Sequence, residues 1–557
     1  MATKKAFVLR PHDRIVFLGD SITQQQLYTN YVESYLAASY PELELTFFNA
    51  GWGGDTAPGA LRRLERDVLA LQPTVVTVCY GMNDGRYVPL TDEILSTYLD
   101  AMRELVRRLK AAGARVVLLT PGMADAQTSQ SIAACDYNRQ TLNVFAAEVL
   151  KLAAAERLPA TDIHKLMTAA SDSARAADPA FTMIPDGVHP DPAGHLVMAY
   201  GILQALGVPP RRQEIAVDLA AGTVSASKGV RADKLRQTSH GFSLEVQVDR
   251  LPFFVEHDAH KVLAHLPFQE TFNSLTLTVR GLRASKGYFR TETGRSTARP
   301  REEFESGLDL FSMWNVGPMQ RAEAIHRYTL EKQLVYFKLW RTLGIFERID
   351  FAGEAPAYQA GIELVPLLDR ARDQLLTPEA RRFLLHVVAT EEAGEPVEDG
   401  EFISQWSCLG PFPKPFTADR LGGEAAFTAR PAHLGAPWQP LELNLGTLGN
   451  ELNLFLGPHT QCFAYVATTI NSPVAQEAEL LVGSDDGVAV WLNGEQRLDN
   501  LNVARGAAPD QERVPVRLRA GANVLLLKIS QLEGNWGFCA RFAGLHQPVV
   551  SMPPTAK

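Results

Sequence analysis

The sequence predicts an α/β fold with a doubly wound parallel sheet, followed by a mixed α+β region and a C-terminal β-sandwich. Short apolar segments alternate with helical segments up to about residue 207. Strand-like alternation begins after the Pro-Pro-Arg-Arg stretch at 209–212, and short strands with turns dominate from Glu401 onward. The length of 557 residues agrees with three domains, which we place at 1–210, 211–400 and 401–557.

The first region carries four predicted strands that are apolar along their whole length, which is typical of parallel strands buried on both faces. They lie at Arg14–Leu18, Leu43–Phe48, Thr74–Tyr80 and Ala114–Thr120. Apolar residues spaced three and four apart predict the intervening helices, at Gln25–Ala38, Pro58–Leu71, Asp92–Ala112, Ser131–Glu156 and Pro192–Leu206. Strands and helices that alternate in this way predict helices on both faces of the sheet.

The second and third regions are predicted from shorter signals. Between 211 and 400, strands are expected at Ser243–Val248 and Ser274–Val279, helices at Met319–Leu343 and Pro378–Thr390, and an acidic linker at 391–400. In the last region, Ser484–Gly494 has the pattern of a turn, a strand and an Asn-Gly hairpin. Further strands are expected at Arg513–Leu518, Asn523–Ile529 and Phe538–Phe542.

Composition excludes several classes of protein. The 54 basic and 63 acidic residues give a net charge of −9, which argues against nucleic-acid binding. No apolar run approaches the roughly 18 residues that span a bilayer, so no membrane partner is expected. Five cysteines without a CxxC pair form neither a disulfide framework nor a zinc module. The N-terminus lacks a signal-peptide pattern, so we expect a cytoplasmic protein as the chain stands, or a secreted or periplasmic one if a leader has been removed.

Four polar motifs stand where the predicted strands end or the last helix begins. They are Gly19-Asp-Ser21, Asn49-Ala-Gly-Trp-Gly-Gly-Asp-Thr56, Gly81-Met-Asn-Asp84 and Asp186-Gly-Val-His189. Ligands of open α/β sheets bind at the carboxyl ends of the strands, so we expect these motifs to lie together.

Together the motifs supply the parts needed for acyl transfer. Ser21 is a nucleophile that requires a base, and His189, with a side chain that is mostly neutral at pH 7, is the candidate. Asp186, three residues earlier, is placed to hold the His189 ring in the correct tautomer. The backbone N–H groups of Ser21 and Gly54 and the side-chain amide of Asn83 are the expected oxyanion donors.

In these motifs, residues 12–207 resemble the SGNH (GDSL-type) hydrolases, whose four sequence blocks they match. The resemblance implies a flavodoxin-like sheet, the catalytic residues Ser21, Asp186 and His189, and an oxyanion hole formed by Ser21, Gly54 and Asn83. It also implies hydrolysis of esters or thioesters through a serine acyl-enzyme, with no metal and no cofactor. The Gly-x-Ser-x-Gly elbow of ordinary α/β-hydrolases is absent from the sequence.

Three C-terminal segments resemble accessory β-sandwiches found beside bacterial carbohydrate-active enzymes, and lectin modules of the protective-antigen type. They are Trp406–Phe412, Ser484–Gly494 and Gly534–Phe538. The resemblance implies a carbohydrate on the alcohol side of the ester, so the expected partner is a small-molecule or polysaccharide ester. The oligomeric state stays open.

Several other side chains have two interpretations. His257, His260 and His265 form either a metal site or, as we favour, a solvated surface. Asp485 and Asp486 are either calcium ligands or, as we favour, part of a polar turn. Asp20 and Asp84 are expected to bond loop backbone. For Trp52 and Met82, a place in the acyl pocket and a place in the core are about equally expected, whereas Trp406, Trp491 and Trp536 are expected in a sandwich core rather than on sugar rings.

The sequence therefore predicts a serine esterase for short acyl groups, acetyl above all, that acts on a carbohydrate. A general short-chain carboxylesterase or thioesterase is the first alternative. The second is a carbohydrate-binding scaffold with an idle hydrolase domain. Activity is expected to fall on acidification as His189 takes up a proton, and chelators are expected to leave the rate unchanged.

Overall fold

The computed structural model describes residues 7–238, 241–291, 294–296, 298–313, 317–346, 355–377, 381–390, 395–427, 438–443, 451–457 and 459–552. Its N-terminal part is built on a five-stranded parallel sheet with strand order 2-1-3-4-5, the flavodoxin-like order. Strands β1 to β5 are Arg14–Gly19, Thr46–Gly51, Val75–Cys79, Arg115–Leu119 and Ala160–Thr161. The predicted doubly wound sheet is confirmed.

The sheet is buried on both faces because alternate residues of its strands enter different cores. In β1, Ile15 and Phe17 face one core while Val16 and Leu18 face the other. Helices cover both faces, at Ser21–Gln24, Leu27–Ser39, Ala57–Asp67, Asp92–Ala111, Gln130–Ala134, Asn143–Glu156, Ile163–Ala177 and Pro192–Ala205. Single 3-10 turns at Pro41–Leu43 and Leu69–Leu71 precede β2 and β3.

Three details of this part differ from the sequence prediction. The continuous helix expected at Ser131–Glu156 is wrong. Asp136 takes a left-handed φ of 47°, and a π-helical turn at Asn138–Leu142 precedes the helix Asn143–Glu156. Strand β5 was not predicted because its two residues carry no periodic signal. The helix at Ile163–Ala177 was also missed.

Two sheets make up most of the central region. One contains Leu308–Asp309, Ser274–Arg280, Arg212–Asp218 and Thr223–Ala226, in that order. The other contains Gly294–Arg295, Lys286–Thr291, Arg382–Thr390, Gly241–Val248 and Val230–Thr238, with Arg299–Pro300 paired to Lys286–Thr291. Side chains such as Val217, Leu277, Leu244 and Phe289 form a core shared by the two sheets.

The helix predicted at Pro378–Thr390 is wrong, because Arg382–Thr390 is a strand between two others. Its Phe383, Leu385 and Val387 are buried, with a less buried residue between each pair, so the true period is two. Short 3-10 and α-helical segments lie between the strands, at His257–His265, Phe268–Phe272, Arg301–Ser306 and Leu310–Met313.

A pair of long helices connects the central region to the N-terminal part. They are Gly317–Phe346, which confirms the predicted helix at Met319–Leu343, and Ala355–Asp373, which was not predicted. Tyr336, Trp340 and Val365 from this pair join the core on one face of the parallel sheet. No helix of the described residues is both long and apolar enough to cross a membrane.

The C-terminal region is rich in antiparallel β-structure, as predicted. Its large sheet contains Glu395–Val397, Gln405–Pro413, Gln439–Glu442, Cys462–Ser472, Val488–Leu492, Glu495–Asn500, Gly521–Gln531 and Val549–Met552. Its small sheet contains Gln476–Ser484, Glu512–Leu518 and Phe538–Ala543, and one apolar core lies between the two. The linker predicted at 391–400 is wrong in part, since Glu395–Val397 is a strand, while 391–394 lie outside the described residues.

Candidate active site

Ser21 lies directly beyond the end of β1, at the first position of the short helix Ser21–Gln24. Asp20 caps this helix, because its carboxylate accepts a 3.0 Å hydrogen bond from the N–H of Ile22. A Cβ on Gly19 would lie 2.0 Å from Thr23 Oγ1, so the helix packs closely on the end of the strand. The Ser21 hydroxyl is thus held at the carboxyl edge of the sheet.

His189 connects Ser21 to Asp186. Its Nε2 lies 2.8 Å from Ser21 Oγ, and its Nδ1 lies 2.7 Å from Asp186 Oδ2. A carboxylate only accepts hydrogen bonds, so Nδ1 carries the ring proton and Nε2 is free to accept one from the serine. The structure therefore brings together the three residues predicted as the catalytic set.

The loop that carries Asp186 and His189 is fixed by its own hydrogen bonds. Asp186 Oδ1 accepts the backbone N–H of Val188 at 2.9 Å and of His189 at 2.7 Å. Partial burial raises the pKa of Asp186, but these bonds and the His189 ring outweigh it, so the pKa stays below its ordinary value. Gly187 has a φ of +87°, and its carbonyl accepts the N–H of Asp125 at 2.9 Å. Asp125 was not identified from the sequence.

The predicted oxyanion donors lie on the loops after β2 and β3. Gly54 is exposed, has a φ of +72°, and a Cβ there would meet no described atom within 4 Å, so a ligand can approach its N–H closely. Asn83 Nδ2 donates to the carbonyl of Asp55 at 3.0 Å, and Asn83 Oδ1 accepts the hydroxyl of Tyr87 at 2.9 Å. Tyr87 is a contact that the sequence analysis missed.

A buried network ties these loops to β1. The Asp55 carboxylate accepts hydrogen bonds from Arg63 Nε at 2.8 Å and from the Tyr80 hydroxyl at 2.9 Å. Arg63 Nη2 also donates to the carbonyl of Gly19 at 3.1 Å. The first and second motifs are therefore held together by side chains that are themselves buried.

Asp20 and Asp84 bond loop backbone, as predicted. The carboxylate of Asp84 accepts the N–H of Ala57 at 2.9 Å and of Gly81 at 3.0 Å. Burial raises the pKa of Asp84 to about 7 despite these bonds, and burial raises the pKa of Asp20 to about 7 despite the bond from Ile22.

Met82 is buried, and Trp52 is half-buried against the central region. The Arg341 guanidinium lies 3.4 Å from the Trp52 ring centroid, and the Trp340 ring meets Trp52 edge-on at 6.0 Å. The helix Gly317–Phe346 thus contacts the loop that carries Gly54. No local sequence pattern predicts this contact, because about 290 positions separate its partners.

The three histidines of the central region are not gathered at one point. His257 and His260 have their rings 5.0 Å apart, whereas His265 Nδ1 pairs with Ser173 Oγ at 3.0 Å. Burial, and then the nearby His257, lowers the pKa of His260 to about 4. Within the described residues, no group of three or more His, Cys, Asp or Glu side chains is placed to hold a metal ion.

The acidic pair of the C-terminal region belongs to a turn. Asp486 Oδ2 accepts the N–H of Leu532 at 2.6 Å, and Asp485 Oδ2 accepts the N–H of Ala507 at 3.3 Å. Both carboxylates thus bind backbone, which favours the plain interpretation. Trp406, Trp491 and Trp536 are buried, as expected for core residues.

Comparison with known proteins assigns a family to the part of the chain that carries these residues. The model of the GDSL-like lipase/acylhydrolase family matches residues 17–197. An acetylxylan esterase of Geobacillus stearothermophilus is 28% identical over 216 residues, which are 35% of this chain and 94% of the relative. Residues 17–197 are a GDSL-like acylhydrolase (SGNH) domain, and the chain is a serine ester hydrolase.

Two solved structures extend the comparison. One, described as BT4096, a gut microbial diltiazem-metabolizing enzyme, covers 70% of this chain and 99% of its own, with a TM-score of 0.57 and 21% identity. The crystal structure of Axe2, an acetylxylan esterase from Geobacillus stearothermophilus, covers 36% of this chain and 96% of its own, with a TM-score of 0.30 and 25% identity. The first shows that the fold of most of this chain recurs in another protein.

Proposed function

We propose that this chain hydrolyses short-acyl esters, above all acetyl esters of carbohydrates, with Ser21 as the nucleophile, His189 as the base and Asp186 as the residue that orients the base. The observation that supports this proposal is the continuous hydrogen-bond chain from Asp186 Oδ2 through the His189 ring to Ser21 Oγ. A serine hydroxyl needs such a neighbouring base to become a useful nucleophile.

Acylation begins when Ser21 Oγ gives its proton to His189 Nε2 and bonds to the ester carbonyl carbon. The carbonyl electron pair moves onto oxygen, and Asp186 stabilises the imidazolium that forms. His189 Nε2 then returns the proton to the alcohol oxygen as its bond to carbon breaks. The alcohol leaves, and the acyl group stays on Ser21.

Deacylation repeats these steps with water. His189 Nε2 takes a proton from the water as its oxygen bonds to the acyl carbon, and collapse returns that proton to Ser21 Oγ and frees the acid. The side chains of His189 and Asp186 are 35% and 55% exposed, so water reaches the base without a conformational opening.

The oxyanion is stabilised by donors on three loops. The N–H groups of Ser21 and Gly54 and the Nδ2 group of Asn83 supply them in our assignment. Removal of one such donor costs about 10²- to 10³-fold in kcat in serine hydrolases, so each assignment is measurable.

The choice of substrate rests on two supports. The relative that aligns over nearly its whole length is an acetylxylan esterase, which favours an acetyl group and a carbohydrate alcohol. The C-terminal region is a β-sandwich, the kind of accessory domain that its sequence resembles in carbohydrate-active enzymes. Both observations bear on which acyl and alcohol groups the substrate carries, and the serine mechanism is the same for any of them.

The experiment compares hydrolysis of p-nitrophenyl acetate, butyrate and octanoate, acetylated xylo-oligosaccharides and an acetyl thioester by the wild type, Ser21→Ala and Ser96→Ala. Ser96 is an exposed serine on another helix and serves as the matched control. We expect turnover fastest on acetyl esters, lost in Ser21→Ala and kept in Ser96→Ala. Turnover that prefers the thioester would favour a thioesterase, and equal rates in Ser21→Ala would refute the nucleophile. Glycan binding without turnover would favour a binding scaffold.

A further inference from the structure

Asn83 is held in one orientation by two hydrogen bonds. The carbonyl of Asp55 only accepts, so the atom that faces it is the amide nitrogen, and Asn83 Oδ1 on the other edge accepts the Tyr87 hydroxyl at 2.9 Å. One N–H group of Asn83 Nδ2 donates to the carbonyl of Asp55 at 3.0 Å. An amide nitrogen carries two N–H groups, and among the described residues the second one meets no further acceptor.

The backbone at Arg86 and Tyr87 is strained, and its turn brings the Tyr87 side chain back to Asn83. Arg86 and Tyr87 have φ values of +57° and +56°, the left-handed region that non-glycine residues rarely adopt. The turn is closed by the N–H of Arg86, which donates to the carbonyl of Asn83 at 3.1 Å. Such backbone strain persists only where the surrounding structure enforces it.

Contacts with Tyr137 hold this strained turn in place. The Tyr87 ring stacks on the Tyr137 ring at 5.1 Å, and the Tyr137 hydroxyl donates to the carbonyl of Met82 at 2.7 Å. A Cβ on Gly85 would lie 2.3 Å from that hydroxyl, so the turn is packed tightly against it. The position of the Tyr87 hydroxyl is therefore set by the fold, before any ligand arrives.

The Tyr87 hydroxyl also keeps its proton at every pH at which a serine esterase is active. Burial, then the nearby Asp20 and Asp186 carboxylates, raises the pKa of Tyr87 to about 12. Tyr87 is thus a permanent donor to Asn83, and the amide has no reason to rotate as the pH changes.

We propose that Tyr87 is a positioning residue for the reaction, whose hydroxyl fixes the Asn83 amide so that its second N–H faces the oxyanion. This inference rests on the proposed function, in which Asn83 is an oxyanion donor. Without the hydroxyl, the amide is held by the Asp55 carbonyl alone, so it can tilt about that bond and carry its second N–H away from the oxyanion. Preorganised donors contribute most when no reorganisation is needed during the reaction.

The test is a double-mutant cycle of Tyr87→Phe and Asn83→Ala on p-nitrophenyl acetate, with kcat, KM and Tm measured for each variant. Tyr87→Phe keeps the stacked ring, so only one hydroxyl is lost. We expect Tyr87→Phe to lower kcat about 10-fold and to change KM by less than about threefold. The loss in kcat should be smaller than the loss on removal of a whole oxyanion donor, because Asn83 itself is still present. In the Asn83→Ala background, Tyr87→Phe should cost nothing further.

Tyr137→Phe is the matched control, because it removes a hydroxyl from the same pair of rings without touching Asn83. Its kcat gives the activity loss that loosening of the same turn produces while the Tyr87 hydroxyl is still present to bond Asn83. A kcat loss in Tyr87→Phe no larger than in Tyr137→Phe would overturn the inference, as would an equal loss with and without Asn83. Should Asn83→Ala itself leave kcat unchanged, the oxyanion role of Asn83 fails, and the role of Tyr87 fails with it.

Discussion

His189 Nε2 lies 2.8 Å from Ser21 Oγ, although 168 positions separate the two residues in the chain. The contact exists because β1 ends, and the helix Pro192–Ala205 begins, at the same edge of the parallel sheet. Ser21 lies just beyond the first of these elements and His189 just before the second. The short loop between His189 and Asp186 then supplies the carboxylate without any further long-range contact.

Asp186→Asn should lower kcat by roughly 10²–10⁴-fold while leaving the fold intact. The asparagine oxygen can still accept the N–H groups of Val188 and His189, but its amide nitrogen would face Nδ1 and favour the wrong ring tautomer. Steady-state kinetics on p-nitrophenyl acetate measures the effect, and Asp178→Asn, another exposed aspartate, is the control. A kcat within threefold of the wild type would remove Asp186 from the mechanism.

The wild-type pH profile tests the same assignment. Because the pKa of Asp186 lies below its ordinary value, this group stays ionised while the pH falls from 7 to about 4. Loss of activity over that range must then come from a group other than Asp186, as a histidine base requires. A rate that is constant down to about pH 4 would contradict a histidine base.

Asp20→Asn should flatten the pH dependence of stability below pH 7. The folded pKa of Asp20 is about 7, above the ordinary value of 3.8, so the folded state keeps a proton that the unfolded state has released. The free energy of unfolding therefore falls as the pH rises from about 4 to 7, by about 1.4 kcal/mol per pH unit for a single group. Asparagine removes this group and still caps the helix at Ile22.

Urea unfolding at several pH values between 4.5 and 7.5 measures this slope. Asp84, whose pKa burial also raises to about 7, contributes a second part that Asp20→Asn leaves in place. Asp20→Asn should thus reduce the slope without removing it. Identical slopes in the variant and the wild type would show that Asp20 is ionised in the folded protein.

The sequence was sufficient for the first four strands of the N-terminal sheet and for the expectation that Ser21, Asp186 and His189 lie together, because both depend on local signals. Strands buried on both faces are apolar throughout, and the functional residues follow directly at their ends. Tyr87 was missed because its contact with Asn83 depends on a left-handed backbone at Arg86 and Tyr87, and neither residue type predicts that conformation. Arg341 was missed because its partner, Trp52, lies in another region of the chain.

The misassigned strand at Arg382–Thr390 has a related cause. Its run of Phe, Leu, Val and Ala fits a helix face and a strand equally well, and its two neighbouring strands decide between them. These partners, Gly241–Val248 and Lys286–Thr291, precede it by about 140 and about 100 positions, so no short window of sequence contains them.

Gly51→Ala and Gly54→Ala should differ in stability although they lie three residues apart. A Cβ on Gly51 would lie 2.2 Å from the backbone nitrogen of Gln24, so the helix that carries Ser21 must move. A Cβ on Gly54 has open space, and its φ of +72° costs only about 1–2 kcal/mol. We expect Gly51→Ala to lower Tm by the larger amount. Both variants should lose kcat, the second because its Cβ crowds the N–H that we assign to the oxyanion hole. The reverse order of Tm would contradict this account.

Lys332→Met should destabilise the protein by about 3–5 kcal/mol, because it leaves buried carboxylates without their balancing charge. Lys332 Nζ lies 2.5 Å from Glu33 Oε1 and 2.8 Å from Asp369 Oδ1, and Arg372 Nη1 lies 2.9 Å from each of these oxygens. All four side chains are buried, and they join the helix Leu27–Ser39 to the two long helices of the central region.

The double variant Glu33→Gln/Lys332→Met removes one charge of each sign and should regain much of the loss, since the cost of the single change comes from the unpaired charge. Urea unfolding of the full chain measures all three variants, with Lys338→Met, an exposed lysine on the same helix, as the control. If Lys332→Met is no less stable than Lys338→Met, or if the double variant is no more stable than the single one, the buried charges do not stabilise the packing of the central helices on the catalytic part.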